Sequence, residues 1–191
     1  MNTNEQRLRQ GFKAFNRFML LLWRLGLGAW VNSWPTVGGR ILVLTHTGRK
    51  SGMRRKTPVN YAEVAGDFYC VAGFGPASDW YRNLLVNPQA EVWLPQGWWA
   101  ATAADVTDSA ESLPMLRQVL INSGFAARVA GIDPVRMSDV ELRVATRSYR
   151  LVQLQRTVAC TGNGGPGELA WIWPLLTLAL LLYIGLSKKR G

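Results

Sequence analysis

The sequence predicts a mainly β chain with flanking helices, an α+β fold. Three observations predict it. Between residues 40 and 155 the apolar residues fall in short runs, several alternating with polar ones, separated by turn residues. Helical spacing is confined to the N-terminal stretch and a few short segments. A length of 191 residues is enough for one domain with a sizeable core.

The first element is a basic amphipathic helix from about Asn4 to Leu25, within an N-terminal unit of residues 1–35. Leu8, Phe12, Phe15, Met19 and Leu22 recur at helical spacing, with Arg7, Arg9, Lys13 and Arg17 between them. Phe18, Leu20, Leu21 and Trp23 widen the apolar side beyond what one packing contact needs, so an interfacial position on membrane lipid is expected. Packing on the domain core is the competing reading. Arg24 interrupts the apolar run and no cleavage site follows, so this is not a signal peptide.

The central region, residues 36–157, opens with the apolar run Arg40-Ile-Leu-Val-Leu-Thr45, read as a buried strand. Then comes Thr-His-Thr-Gly-Arg-Lys-Ser-Gly-Met-Arg-Arg-Lys-Thr-Pro, from Thr45 to Pro58. Gly48 and Gly52 permit a tight loop, and Arg49, Lys50, Ser51, Arg54, Arg55 and Lys56 surround it. Backbone N–H groups and basic side chains in one turn suit a phosphate or clustered carboxylates. The spacing is not that of a P-loop, and no Gly-x-Gly-x-x-Gly element opens a helix. Thr57 to Val64 reads as a second strand, so the loop joins two strands and no helix dipole backs it.

Asp67 to Ala72 reads as a third strand, followed by Gly73-Phe74-Gly75-Pro76-Ala77-Ser78-Asp79-Trp80-Tyr81-Arg82-Asn83. Ser78 or Asp79 can cap a short helix beginning at Trp80, which Asn87-Pro88 ends. The glycines let backbone approach a flat ligand. Trp80 is placed to pack on that ligand or into the core, and Leu84 is expected in the core.

Together the stretches Thr47 to Pro58 and Asp79 to Pro88 resemble the deazaflavin-dependent nitroreductase and quinone reductase family. The resemblance runs from about Arg40 to Val106, and less clearly to the strand near residues 147–155. It implies an FMN-binding-like split β-barrel and coenzyme F420, a deazaflavin with a phospholactyl–oligoglutamate tail. That polyanionic tail suits the basic loop independently. By position, Arg49, Lys50, Ser51 and Arg55 would hold the phosphate and tail carboxylates, and Gly52 and Pro58 would also belong to the cofactor site. Backbone at Ala72, Gly73, Phe74 and Gly75 would lie along the ring, and Trp80 and Asn83 would close the ring and ribityl side. The chain departs from some members in having Asn60, with Tyr61 on the opposite strand face, where they have an aromatic. The family's C-terminal tyrosine cluster is reduced here chiefly to Tyr149.

The implied activity is hydride transfer from the reduced deazaflavin to a quinone or nitro-type acceptor. No obligate catalytic acid is visible; His46, Tyr149 or water could supply a proton. Two other readings remain open at this stage. One is the same barrel binding FMN, and the other is a non-catalytic, membrane-tethered module for an anionic ligand.

The remaining elements are ordinary. Ala90 to Leu94 and Trp98 to Val106 read as strands around a Pro95-Gln96-Gly97 turn, a helix is expected from about Ala110 to Ser123, and Ser148 to Leu154 alternates as a last strand. Trp98 and Trp99, being adjacent, should face opposite ways.

The net charge of +10 admits nucleic acid, an anionic surface or an acidic ligand, and no nucleic-acid motif accompanies it. Cys70 and Cys160 form no metal-ligand spacing or disulfide framework, and with His46 alone a zinc site or triad is disfavoured.

At the C-terminus, residues 158–168 read as a Gly-rich linker. Residues 169–187 read as a transmembrane helix, because Leu169 to Leu186 carries no charge, has tryptophans near its start and is followed by Lys188, Lys189 and Arg190. A single-pass C-terminal anchor with a cytoplasmic barrel follows, although the terminal charges themselves favour the cytoplasm. A bilayer quinone, menaquinone-like, would then be the most economical acceptor.

Overall fold

The computed structural model describes residues 3–188. Three helices lead in: α1 (Thr3–Arg24), α2 (Gly28–Val31) and α3 (Pro35–Gly38). The strands are β1 (Ile41–Thr47), β2 (Arg54–Val64), β3 (Asp67–Ala72), β4 (Gln89–Leu94), β5 (Gly97–Asp105) and β6 (Arg150–Ala159). Helix α4 (Asp79–Val86) follows β3, while α5 (Ser112–Ile121), α6 (Phe125–Val129) and α7 (Asp139–Ala145) lie between β5 and β6. Helix α8 (Ile172–Lys188) ends the described chain.

The strands close into a barrel in the order β1-β2-β3-β6-β5-β4, every pairing antiparallel. The expected mainly β barrel with flanking helices is therefore the observed one. Alternation assigns the faces. Leu42, Leu44, Tyr61, Phe68, Cys70, Val92, Val152 and Leu154 fill the barrel interior. Trp99 packs on that interior, and Trp98 packs outside against Trp23, Val43 and Trp93. The hairpin between β1 and β2 sets His46 opposite Arg55 and Thr47 opposite Arg54, so the basic loop spans residues 48–53.

Helices α5, α6 and α7 cover the outer face of β2, β3 and β6 through Leu113, Leu116, Val119, Leu120, Ala127 and Leu142 packed on Ala62 and Leu151. Helix α7 escaped the sequence reading. Its signal was present: Ser138 accepts from the Glu141 N–H, and the Glu141 carboxylate accepts from the Ser138 N–H.

The apolar stripe of α1 packs on the barrel. Met19 meets Val31 and Ile41, and Trp23 meets Val43 and Trp93. Phe18 and Leu21 remain exposed. The side chains of Leu8 and Phe12, which belong to the same expected stripe, lie outside the described residues.

The expected C-terminal transmembrane helix and the membrane localisation resting on it are corrected. Among the described residues no helix is long and apolar enough to cross a membrane. The apolar run does not form one helix from residue 169. The Leu169 N–H donates to the Arg24 carbonyl, and residues 169–171 turn along α1. Trp173 Nε1 donates to the Leu25 carbonyl. Helix α8 itself has 17 residues, about 26 Å at a rise of about 1.5 Å per residue, short of the roughly 30 Å hydrocarbon core. Lys189 and Arg190, on which the topology argument drew, lie outside the described residues.

The Gly-rich stretch before α8 is hydrogen-bonded to the barrel side. Gly167 N–H donates to the Trp23 carbonyl, Lys56 Nζ donates to the Gly164 carbonyl at 2.8 Å, and Glu168 pairs with Arg24. Beyond it, Leu175, Leu178, Leu181 and Leu182 of α8 are exposed. Deleting residues 172–191 should therefore lower the melting temperature by only about 2–4 °C, since the side-chain hydrogen bond lost among the described residues, from Trp173 to Leu25 just past α1, is worth about 1 kcal/mol. A thermal melt of the shortened chain checks this, and failure to fold would make α8 part of the core.

Candidate active site

The barrel brings the two sequence motifs to one end. In the hairpin loop, Gly48 N–H donates to the Met53 carbonyl at 2.8 Å, and Gly52 closes the turn at positive φ. Gly48 has no room for a side chain: a Cβ there would stand 2.8 Å from Ser51 Oγ and 2.9 Å from Arg55 Nε.

The loop's cations divide into two kinds. Arg49 turns inward and is tied to α4. Its guanidinium donates to Asn83 Oδ1 at 2.8 Å and pairs with Asp79 at 3.0 Å, while its backbone N–H donates to Asn83 Oδ1 at 3.1 Å. Lys50 and Arg55 face solvent, and among the described residues neither has a carboxylate partner. Among the described residues, the hydrogen bond of the Arg55 side chain is to Ser51 Oγ, at 3.5 Å. Two exposed cations without a carboxylate partner among the described residues, a hydroxyl and a Gly-closed turn form a donor set suited to a multiply charged anion.

Beside the loop opens a cavity of about 680 Å³. That lies within the roughly 300–1,000 Å³ of pockets that bury a drug-sized ligand. One wall carries sequence-predicted residues: Pro58, Gly73, Phe74, Trp80 and Tyr149. Thr57, Asn60 and Ser78 add polar atoms to it. A second wall comes from α1, α5 and α6: Phe15, Leu120, Phe125 and Ala126 give it an apolar surface, with Lys13, Asn16 and Ser123 adding polar groups. Sequence reasoning missed this second wall, because its residues lie in ordinary amphipathic segments remote from both motifs.

Other predicted residues sit behind the wall. Ala72 is buried in the barrel, and Gly75 is buried at a φ of 52°, where a Cβ would stand 2.0 Å from the Ser148 carbonyl oxygen. Only glycine fits there, and it turns the chain from β3 into the 3-10 turn Gly75–Ala77 ahead of α4. Asn83 is 3% exposed and does not line the cavity. Asn60 lines the cavity while Tyr61 is buried in the barrel core, the alternation the sequence implied.

The two weak proton-donor candidates differ. His46 is 3% exposed, with Nε2 3.1 Å from Thr57 Oγ1 and Nδ1 3.1 Å from Asn83 Nδ2. Burial, helped by the charge of Arg55 and opposed by Asp79, pushes its pKa down to about 4, so the ring is neutral at pH 7. Tyr149 lies against Gly73 on the cavity wall, and burial pushes its phenol above its ordinary value. It therefore remains a hydrogen-bond donor at neutral pH.

The family model of F420H(2)-dependent quinone reductases matches residues 23–139. Among solved structures, an F420-H2 dependent reductase (FDR-A) is similar at 22% identity over 60% of this chain and 93% of that one, with a TM-score of 0.46. HutZ, a heme storage protein from Vibrio cholerae, is similar at 15% identity over 73% and 94%, with a TM-score of 0.46. A conserved hypothetical protein from Mycobacterium tuberculosis matches at 17% identity over 72% and 91%, with a TM-score of 0.43.

Proposed function

Because the chain belongs to the F420H2-dependent quinone reductase family, and so is an oxidoreductase using coenzyme F420, we propose that its cavity holds the deazaflavin against one wall and a quinone-type acceptor against the other. The observation carrying this reading is the continuity of the motif-bearing wall at Pro58, Gly73 and Trp80 with the apolar wall at Phe15, Leu120 and Phe125. A nitro-type acceptor is the second reading, since it presents a similar flat ring and polar oxygens.

The residues present fit the cofactor. Lys50, Ser51 and Arg55 would hold the phosphate and tail carboxylates, with Arg49 fixing the loop that carries them. Gly73, Phe74 and Trp80 would bound the ring. When bound, the reduced deazaflavin supplies a hydride. The chain's residues contribute orientation and exclusion of water. Phe15, Leu120 and Phe125 shed water onto an apolar acceptor, and the protonated Tyr149 hydroxyl donates a hydrogen bond to the acceptor oxygen where negative charge develops. The hydride brings both electrons and one hydrogen, and one proton from solvent completes the quinol.

The test is oxidation of F420H2 by a soluble quinone and by a nitroaromatic, followed spectrophotometrically. Ala126→Trp, which fills the apolar half, should raise the quinone KM by about tenfold while cofactor Kd stays within about twofold. Tyr149→Phe should lower kcat/KM up to about tenfold, the size of one neutral hydrogen bond. Tight cofactor binding with no quinone turnover would remove the acceptor assignment.

A further inference from the structure

The anion loop is held by a chain of hydrogen bonds whose polarity admits one arrangement. Asn83 Oδ1 accepts two donors from Arg49, the backbone N–H at 3.1 Å and the guanidinium at 2.8 Å. An amide oxygen pinned by two donors leaves the Asn83 NH2 turned to His46, 3.1 Å from Nδ1. His46 Nδ1 must therefore accept, the ring proton sits on Nε2, and Nε2–H donates to Thr57 Oγ1 at 3.1 Å. The chain runs from the cavity wall at Thr57, through β1 and α4, to the loop at Arg49 and on to Asp79.

We infer that His46 and Asn83 are positioning residues that set the orientation of the anion loop through Arg49, acting on cofactor affinity without touching the reacting atoms. This rests on the proposed role of the loop in holding the tail. His46 is already too buried to meet an acceptor, and Asn83 is equally hidden, yet every side-chain polar atom of both is engaged. A mere space-filling role would not need a hydrogen-bond chain with one permitted direction.

Protonating His46 breaks that direction. Nδ1–H would then face the Asn83 NH2, donor against donor. Turning the amide over would set its NH2 against both Arg49 donors. Either way the loop loses its tie. The charged groups facing the ring are Arg55 across the β2 pairing, which opposes the proton, and Asp79 on α4, which favours it; Arg49 lies beyond Asn83. On the β4 side the ring's partner position is Ala90, which carries no charge. Folding favours the neutral ring, so this contribution to stability is fully present above the free-histidine value of 6.5 and is lost as pH falls toward about 4.

Three measurements test the inference on the full chain. Asn83→Leu should weaken F420 binding, read by cofactor fluorescence, about tenfold. His46→Leu should do the same, and His46→Asn, whose amide oxygen can replace Nδ1 as acceptor, should recover most of the loss. Asn83→Asp keeps an oxygen for Arg49 and sets a second one against His46, so a protonated ring is no longer in conflict. In that variant the 15N-detected titration of His46, without cofactor, should move up from about 4 by a unit or more, and F420 affinity should fall less steeply than wild type as pH drops from 6 toward 4. An unmoved His46 titration, or wild-type affinity in both leucine variants, overturns the relay. Lys50→Ala separates the two ideas: normal binding in Lys50→Ala removes the loop's role, whereas weak binding there with normal binding in Asn83→Leu removes only the relay.

Discussion

Replacing Lys50 and Arg55 together with alanine should weaken F420 binding by about a hundredfold or more. Each loses a charge-assisted hydrogen bond worth roughly 1.5–3 kcal/mol, about tenfold or greater in Kd. Both side chains are exposed, and neither has a carboxylate partner among the described residues, so their positive charge is available to a ligand. For the same reason the unliganded protein should melt within about 0.5 kcal/mol of wild type, as surface substitutions away from special features do. Arg49→Ala is a different experiment, because its guanidinium is bonded to Asn83 and Asp79 and its loss disturbs the loop itself. Fluorescence titration at two salt concentrations checks the prediction. Wild-type affinity should fall with salt, since exposed charges are screened, and the double variant should show a shallower dependence. Unchanged affinity in the double variant would place the tail elsewhere.

Trp23→Ala should cost about 3–5 kcal/mol of stability, lowering the melting temperature by roughly 6–20 °C. Trp23 is 1% exposed and lies between Val43 of β1 and Trp93 of β4. Its ring also stands where a Cβ on Gly28 would be, 2.3 Å away, so α2 is fitted directly onto it. Its carbonyl accepts the Gly167 N–H, which joins the C-terminal stretch to the same contact. Removing the ring leaves a cavity between α1 and the barrel that the two strands cannot close. A calorimetric or circular-dichroism melt reads the effect. A fall of less than about 2 °C would mean that α1 rests on the barrel without supporting it.

Much of the fold was legible locally. Asp67–Ala72 could be read to the residue, because alternation, a turn at Gly66 and a following glycine are all signals within a few positions. The anion loop was legible because two glycines and a run of cations mark it directly. Helix α7 was legible in principle through its capping box and was passed over. The division of labour among Arg49, Lys50 and Arg55 was not legible, because adjacent cations look alike until a partner such as Asp79 arrives from 30 residues away. Nor was the placement of Asn83, whose burial depends on how α4 lies against β1.

By itself, then, the sequence determined the strand pattern, the basic hairpin loop, the family motifs and through them the cofactor. The strands and the loop rest on side-chain periodicity, turn chemistry and charge, which are properties of neighbouring residues, and the cofactor rests on the resemblance that the motifs carry. Only the tertiary structure decided where the apolar helices go and what completes the site. It folded the start of the C-terminal apolar run along α1, leaving α8 too short and not apolar enough over a sufficient length to span a bilayer, and it packed the stripe of α1 on Val43, Trp93 and Ile41. It also built the second cavity wall from Phe15, Leu120 and Phe125, three residues from three helices. The reason is that burial of apolar surface has no direction: an apolar stripe reads the same whether lipid or protein covers it, and only the closed barrel supplies the particular surface that does.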